Sequence, residues 1–240
     1  MATLSLVTFN THYGLGAPRA GARPYDLGAV LVDLAADVMI IQEVWRPDSR
    51  HGIVDAFAEA SGYAMHHVAT GRATDTGRWP HHDPAGRGTV GTAILTRMPA
   101  HPMPSVPVGP TPGDPAPARE LPQVEISVDG ARPLRVVGVH LTSRLPHGPV
   151  IQLRRLARQL PVAGTPTVVA GDCNFWGPPA RALLRDGWRR GVTGRTWPAS
   201  RPHSQIDHVF TRPDDMAVTR PAVLEACGSD HRPVRVQLDW

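Results

Sequence analysis

The chain has 240 residues and a formal net charge of +4, with two cysteines. A chain this long can bury a large core without staples, and two cysteines do not make a disulfide scaffold, so Cys173 and Cys227 read as buried thiols rather than a bridge. All 25 basic residues are arginine, which excludes Schiff-base chemistry and a Walker-type phosphate loop, since both need a lysine amine.

Arginine, proline, alanine and glycine are inflated together, as a compositional bias would leave them, so the positive charge is only weak support for a nucleic-acid partner. The most apolar stretch, 27–41, is interrupted by Asp33 and Asp37 and cannot supply the roughly 20 apolar residues a bilayer needs. No membrane insertion is expected. The opening MATLSLVTFN lacks the basic start of a secretory signal, and a cytoplasmic location follows as the expectation.

In chain order, the β-branched run 3–9 predicts a first strand. A helix over 26–36 follows, with Asp26 placed to accept from first-turn amides. Strand 38–42 comes next, then a helix over 48–61 capped by Asp48. Strands are predicted at 89–96, 124–128, 134–141, 167–170, 206–211 and 233–238, with helices at 150–160 and 179–185 between them. Helices that fall between strands argue for a sheet-rich layered domain with helices outside. The segment 71–88 is rich in Gly, Arg and His, and 99–122 is so interrupted by proline that it must be loop or edge strand. Strand patterns resume on both sides of each without a change of composition. A single domain over 1–240 is therefore expected.

The chemistry lies where polar residues interrupt strand ends. Thr-Phe-Asn10 ends the first strand, Gln-Glu43 the second, Gly-Val-His140 another, and Gly-Asp172-Cys-Asn174 another. Gln-Ile-Asp207-His208 opens a strand, and Ser-Asp230-His231 precedes the last. A buried ionisable group is costly unless paired or bound to metal, and six such events in one chain are poorly explained as independent accidents. Singly each has a bland alternative, such as an asparagine satisfying a turn or a glutamate paired with a surface arginine.

The ordered set TFN, QEV, GVHL, GDCN, QIDH and SDH, together with Gly91-Thr-Ala-Ile-Leu-Thr-Arg97, resembles the signature series of the endonuclease/exonuclease/phosphatase superfamily, the deoxyribonuclease-I-like metal-dependent phosphoesterases. The resemblance spans 7–234. It implies an α/β fold, a four-layer α/β/β/α sandwich of two packed, mostly antiparallel sheets flanked by helices, with the site at one sheet edge. It also implies that Asn10 and Glu43 hold a divalent cation, Mg2+ or Mn2+, with Asp230 near that cation or at a second metal position. Asp172 and Asn174 would orient the attacking water and the phosphate. His140 and His231 would contact phosphate oxygens, and Asp207 would hydrogen-bond His231. Oxygen and amide donors suit a hard cation that keeps waters for substrate to displace. Either Asp172 or His231 could act as general base, although a carboxylate beside His231 favours the charged imidazole and hence an electrostatic clamp.

The chain departs from the family where His12 stands in place of a frequent Asp. Trp176 could stack on a base or pack in the core. His66, His67, His81, His82, Arg72, Arg78 and Arg87 read as loop residues, solvated or at a substrate rim. The expected activity is hydrolysis of a phosphate ester, foremost a phosphodiester of DNA or RNA. The alternative substrate is a small phosphorylated molecule or phospholipid headgroup, because fold and metal chemistry do not fix the substrate. A non-catalytic binding protein is the third and weakest reading. The oligomeric state is not legible in the sequence.

Overall fold

The structure, a computed structural model, describes residues 2–14, 25–48, 51–72, 88–114, 116, 118–160, 164–184, 187–213 and 216–240. Among these, one six-stranded sheet contains β1 (Thr3–Asn10), β2 (Val38–Pro47), β3 (Ala64–Arg72), β4 (Gly88–Thr96), β11 (Ala217–Val223) and β12 (Val234–Asp239). The other contains β5 (Ala100–Pro107), β6 (Glu120–Ile126), β7 (Leu134–His140), β8 (Thr167–Asp172), β9 (Arg189–Arg190) and β10 (Asp207–Arg212). The strand orders are β11-β12-β1-β2-β4-β3 and β5-β6-β7-β8-β10-β9. Each sheet has one parallel pair, β1 with β2 and β7 with β8, and every other pairing is antiparallel. Among the described residues, four helices flank the sheets: α1 (Leu27–Asp33), α2 (Ile53–Ala60), α3 (His147–Gln159) and α4 (Gly177–Leu183). The layered α/β/β/α sandwich is the fold, and no helix among the described residues is long and apolar enough to cross a membrane.

The central strands are apolar on both faces because both faces are covered. On β2, Val38 and Ile40 point between the sheets with Leu4, Leu6, Val136 and Val168. The alternate residues Met39 and Ile41 pack outward with Leu31 and Phe57 of the helices. The second sheet repeats the pattern, with Val137, Val139 and Val169 meeting Leu153 and Leu156 of α3. Two interleaved apolar faces therefore fix the register, since a one-residue slip would exchange them.

Several local expectations need correction. The helix expected from Asp48 begins at Ile53 behind Gly52, and Asp48 instead pairs with Arg72 at the end of β3. Asp26 does cap α1, accepting from the Ala29 amide at 2.9 Å. Strand β3 was not predicted, because Ala-Met-His-His-Val-Ala-Thr-Gly-Arg carries too little apolar alternation, and His66, His67 and Arg72 lie on it rather than in a loop. Strand β11 was also missed, its pattern broken by Pro221 and by a register shift between Thr219 and Ala222. The proline-rich 99–122 contains β5, an edge strand with its own register shift between Met103 and Val106. Helix α3 starts three residues earlier than its apolar period suggests, since Pro149 is tolerated in a first turn. Both cysteines are free, but only Cys173 is buried. His81, His82, Arg78 and Arg87 lie outside the described residues.

Candidate active site

One edge of the sandwich collects the strand ends. In the parallel pair β7–β8, His140 stands opposite Asp172, and in the antiparallel pair β8–β10 Asp172 stands opposite Asp207. In the first sheet Asn10 stands opposite Gln42. Glu43 reaches the same edge through a bulge: Ile41 pairs with Ala93 but Val44 with Gly91, leaving one extra residue on β2, and Glu43 takes φ 56°. A bulge of this kind re-aims a side chain that regular pleating would point elsewhere. Gly171, at φ 142°, precedes Asp172, and a Cβ there would lie 1.9 Å from the Val139 carbonyl oxygen. Only glycine lets β8 approach β7 that closely just before the carboxylate. Asn174 is itself left-handed at φ 48°, a conformation asparagine tolerates better than most residues.

The amide of Asn10 links the sheets, its Nδ2 donating to Glu43 Oε1 at 3.3 Å and to Asp172 Oδ2 at 3.1 Å. The Asn174 backbone amide donates to Asp172 Oδ1 at 2.7 Å, and its side-chain Nδ2 donates to the Leu141 carbonyl at 2.9 Å. His231 Nδ1 lies 2.9 and 3.1 Å from the two Asp207 oxygens, which turns Nε2 toward Asp172 Oδ2 at 3.8 Å. His140 Nε2 is 3.7 Å from Glu43 Oε1 and 3.9 Å from Asp172 Oδ2. Asp230 accepts from Trp197 Nε1 at 3.3 Å and lies 3.8 Å from His12 Nδ1. All eight sequence-predicted residues thus meet at one place. Glu43, His140, Asp172, Asn174, Asp230 and His231 line a cleft of about 700 Å³, while Asn10 and Asp207 stand behind it.

Burial pushes the Glu43 carboxyl up, against the opposing pull of His12 and His231. Burial also pushes Asp172 up to about 7, with Asp207 adding to the effect and His231 and the two asparagine hydrogen bonds opposing it. Burial, Arg119 and His231 hold the His140 imidazole down at about 3, so it is neutral. Burial would lower His231 as well, but Asp207, Asp172 and Asp230 outweigh it and raise the imidazole to about 10. The two histidines are therefore not equivalent: one is a neutral hydrogen-bonding group and the other a fixed cation.

The donor set fits a hard divalent cation. Glu43 Oε2 is buried and makes no hydrogen bond among the described residues, a state that costs free energy unless a cation completes it. Asp172, Asp207 and His231 also offer ligand atoms within 4.8 Å of one another. There, however, the imidazole Nδ1 is already engaged by Asp207, whose carboxylate favours the charged ring, and the ring would have to give up its proton to ligate. Glu43, with Asn10 and Asp230 beside it, could take the cation without that competition.

Other residues reach the cleft besides these eight, and among them is His12, noted in the sequence where the family often carries Asp. Tyr13 and His12 sit in a 3-10 turn after β1, with φ 58° and 45°. Arg119, Trp197 and His203 also line it. Tyr13, Arg119 and His203 carry no motif: Arg119 is hidden in the proline-rich segment, and the other two lie in turns whose path no periodicity reports. Trp176, for which packing and stacking were both open, is 48% exposed on the cleft wall beside Leu145, which is 46% exposed.

A sandwich edge that gathers buried carboxylates, amides and one fixed imidazolium around a cation-ready oxygen defines a hydrolase of anionic esters. The sequence profile of the Endonuclease/Exonuclease/phosphatase family matches residues 7–231. The chain belongs to that family, whose members are phosphoesterases that generally depend on a divalent metal. Among solved structures it is similar to an endonuclease/exonuclease/phosphatase from Beutenbergia cavernae, with 25% identity, TM-score 0.76, and coverage of 99% of this chain and 72% of that one. It is also similar in fold to a humanized D. rerio TDP2, with 18% identity, TM-score 0.67, and 99% of both chains covered. A mannosyl-6-phosphatase from Bacteroides thetaiotaomicron gives 17% identity and TM-score 0.67, with 99% of this chain and 100% of that chain covered. No curated protein matches the sequence.

Proposed function

We propose that residues 1–240 act as one catalytic domain that hydrolyses phosphodiesters of nucleic acid with Mg2+ or Mn2+. The observation that carries the reading is the pairing, in one cleft, of the unpartnered buried Glu43 Oε2 and the buried Asp172 carboxylate, pushed up to about 7, with exposed Trp176 and Leu145 on the wall. Glu43 would hold the cation with Asn10 and Asp230. When bound, that ion supplies charge neutralisation at the phosphate. The protein's own residues supply the rest. Asp172, with a proton affinity near neutrality and fixed by the Asn174 amide, is suited to take a proton from water. His231, held cationic by Asp207, offers Nε2–H to a phosphate oxygen as charge develops there. Neutral His140 can donate to another oxygen, while Asn174, whose Nδ2 donates to the Leu141 carbonyl and to Asp172 Oδ2, would hold Asp172 toward the water. An exposed indole next to this centre suits a base or sugar ring, because stacking needs no sequence preference.

A small phosphorylated substrate is the second reading, favoured by the cleft volume of about 700 Å³, which lies within the range of small-molecule sites. The test is hydrolysis of bis(p-nitrophenyl) phosphate and p-nitrophenyl phosphate with manganese, magnesium or chelator, alongside binding of single-stranded and duplex DNA across salt. Metal-dependent diester cleavage with binding that weakens steeply in salt is expected, since only a polyanion releases many counterions. Preferential monoester cleavage without such salt dependence would transfer the proposal to the small substrate.

A further inference from the structure

Beneath His140 runs a buried polar circuit that the reaction itself does not use. Residues 141–144 form no regular structure after β7 ends, yet His140 and the Leu141 carbonyl must be held in place for the site to assemble. Gln152, wholly buried on α3, accepts from the Thr142 amide through Oε1 at 2.8 Å. Its Nε2 donates to Asp114 Oδ2 at 2.9 Å. Asp114 in turn accepts from Arg119 Nη2 at 3.0 Å and Nε at 3.1 Å. Arg119 Nη1 donates to the His140 carbonyl at 3.0 Å. The circuit leaves the chain at Thr142 and returns at His140, enclosing Leu141. The Leu141 carbonyl is the one that receives Asn174, and the Leu141 amide donates to the Asp172 carbonyl at 3.0 Å.

We infer that Gln152 and Asp114 are positioning residues that set the His140–Thr142 backbone, and through it His140 and Asn174. The inference rests on the reading that His140 meets the substrate and that Asn174 holds Asp172 in place for it. Stability alone does not account for the circuit, because a buried ionic network is often matched or bettered by well-packed apolar residues. What a fully satisfied network supplies is a single geometry. Arg119 faces the cleft, but its charge is matched by the fully buried Asp114 side chain. It is a bracket here rather than a free cation. The approach of α3 is close on the same segment, since a Cβ on Gly148 would lie 2.4 Å from Thr142 Cγ2.

The test compares wild type with Gln152→Met, Gln152→Glu and the double variant Gln152→Glu/Asp114→Asn, using bis(p-nitrophenyl) phosphate with Mn2+ and thermal melting of each protein. Gln152→Met removes the bonds to Thr142 and Asp114, and a longer one to the Gly109 carbonyl at 3.4 Å, without adding charge. Its kcat is expected to fall about 10- to 100-fold, the usual cost of losing an outer supporting partner, with KM changed by less than about twofold. Gln152→Glu opposes two carboxylates and should fall at least as far. The double variant moves the carboxylate from one side of the bond to the other, and should recover about tenfold over Gln152→Glu because the two sites share one bond. A Gln152→Met protein with kcat within about twofold of wild type and only a lower Tm would overturn the inference. So would a double variant no more active than Gln152→Glu, which decides the matter if Gln152→Met does not fold. A wild type without metal-dependent turnover would remove the underlying reading, and the inference with it.

Discussion

Asp114 and the pair Glu43–Asp172 are buried carboxylates with opposite proton affinities. Burial alone would raise Asp114, but two hydrogen bonds and the charge of Arg119, with the Ala116 amide and Gln152, hold it below its ordinary 3.8. Glu43 and Asp172 receive amide bonds and a distant imidazolium, and burial still prevails. The difference lies in the partners and not in the residue type. Asp114 is matched within the protein, so it can hold backbone in place. Glu43 and Asp172 are left short of positive charge, which makes them costly to the free protein and receptive to a cation and an anionic ester.

The widest separation should appear between activity and stability. Asp172→Asn is expected to lower kcat on bis(p-nitrophenyl) phosphate by about 10²- to 10⁴-fold, the range for loss of a general base. Its melting temperature in chelator should stay level or rise, because a carboxylate whose charge is costly to bury has been removed. A variant with normal turnover, or one that melts well below wild type, would place Asp172 with Asp114 and end the contrast.

Asp114→Asn should behave in the opposite sense. Breaking a buried pair leaves Arg119 uncompensated at a cost of about 3–5 kcal/mol, seen as a lower urea midpoint at pH 7. The sign with pH follows from the depressed carboxyl. Stability from Asp114 is fully present above its unfolded value near 3.8 and is lost as pH falls below that through the folded value. The gap between wild type and Asp114→Asn should therefore be widest near neutrality and close below about pH 4. A gap that stays constant into acid would mean that the charge of Asp114 is not what stabilises it.

Cation binding sharpens the same comparison at smaller scale. Mn2+ at about a hundred times its dissociation constant should stabilise wild type by about 2.7 kcal/mol. The shift should vanish in Glu43→Gln, which keeps shape but removes the charge, and persist in Asp207→Asn, whose carboxylate serves His231. A shift retained in Glu43→Gln and lost in Asp207→Asn would move the ion to the Asp172–Asp207–His231 group.

The split between legible and hidden parts has a physical cause. Strand ends that carry Asn10, Glu43, His140, Asp172 and Asp207 could be read from the sequence, because each breaks an apolar run and such breaks are costly in a core. The bulge that aims Glu43 could not, since it exists only in the pairing of β2 with β4. Asp114, Arg119 and Gln152 were equally hidden. Arg119 and Asp114 sit among prolines that suppress any period, and Gln152 lies on an otherwise ordinary amphipathic helix. Strands β3 and β11 went unseen because edge strands need little apolar alternation.

The smallest effect concerns the cleft wall. Trp176 is 48% exposed, so a single open indole offers the low end of base stacking, about 1 kcal/mol or about fivefold in KM. Two diesters with the same p-nitrophenol leaving group isolate it: one carries thymidine on the phosphate and the other a methyl group. Trp176→Ala should raise KM for the thymidine ester about fivefold and leave the methyl ester unchanged, with kcat held in both. Equal loss on both esters would mean that the indole supports the Asn174 turn through its contact with Phe175, 5.4 Å between ring centroids, and reads no ring at all. In that case the wall carries no preference for a nucleoside, and the small phosphorylated substrate gains the weight that the nucleic acid loses.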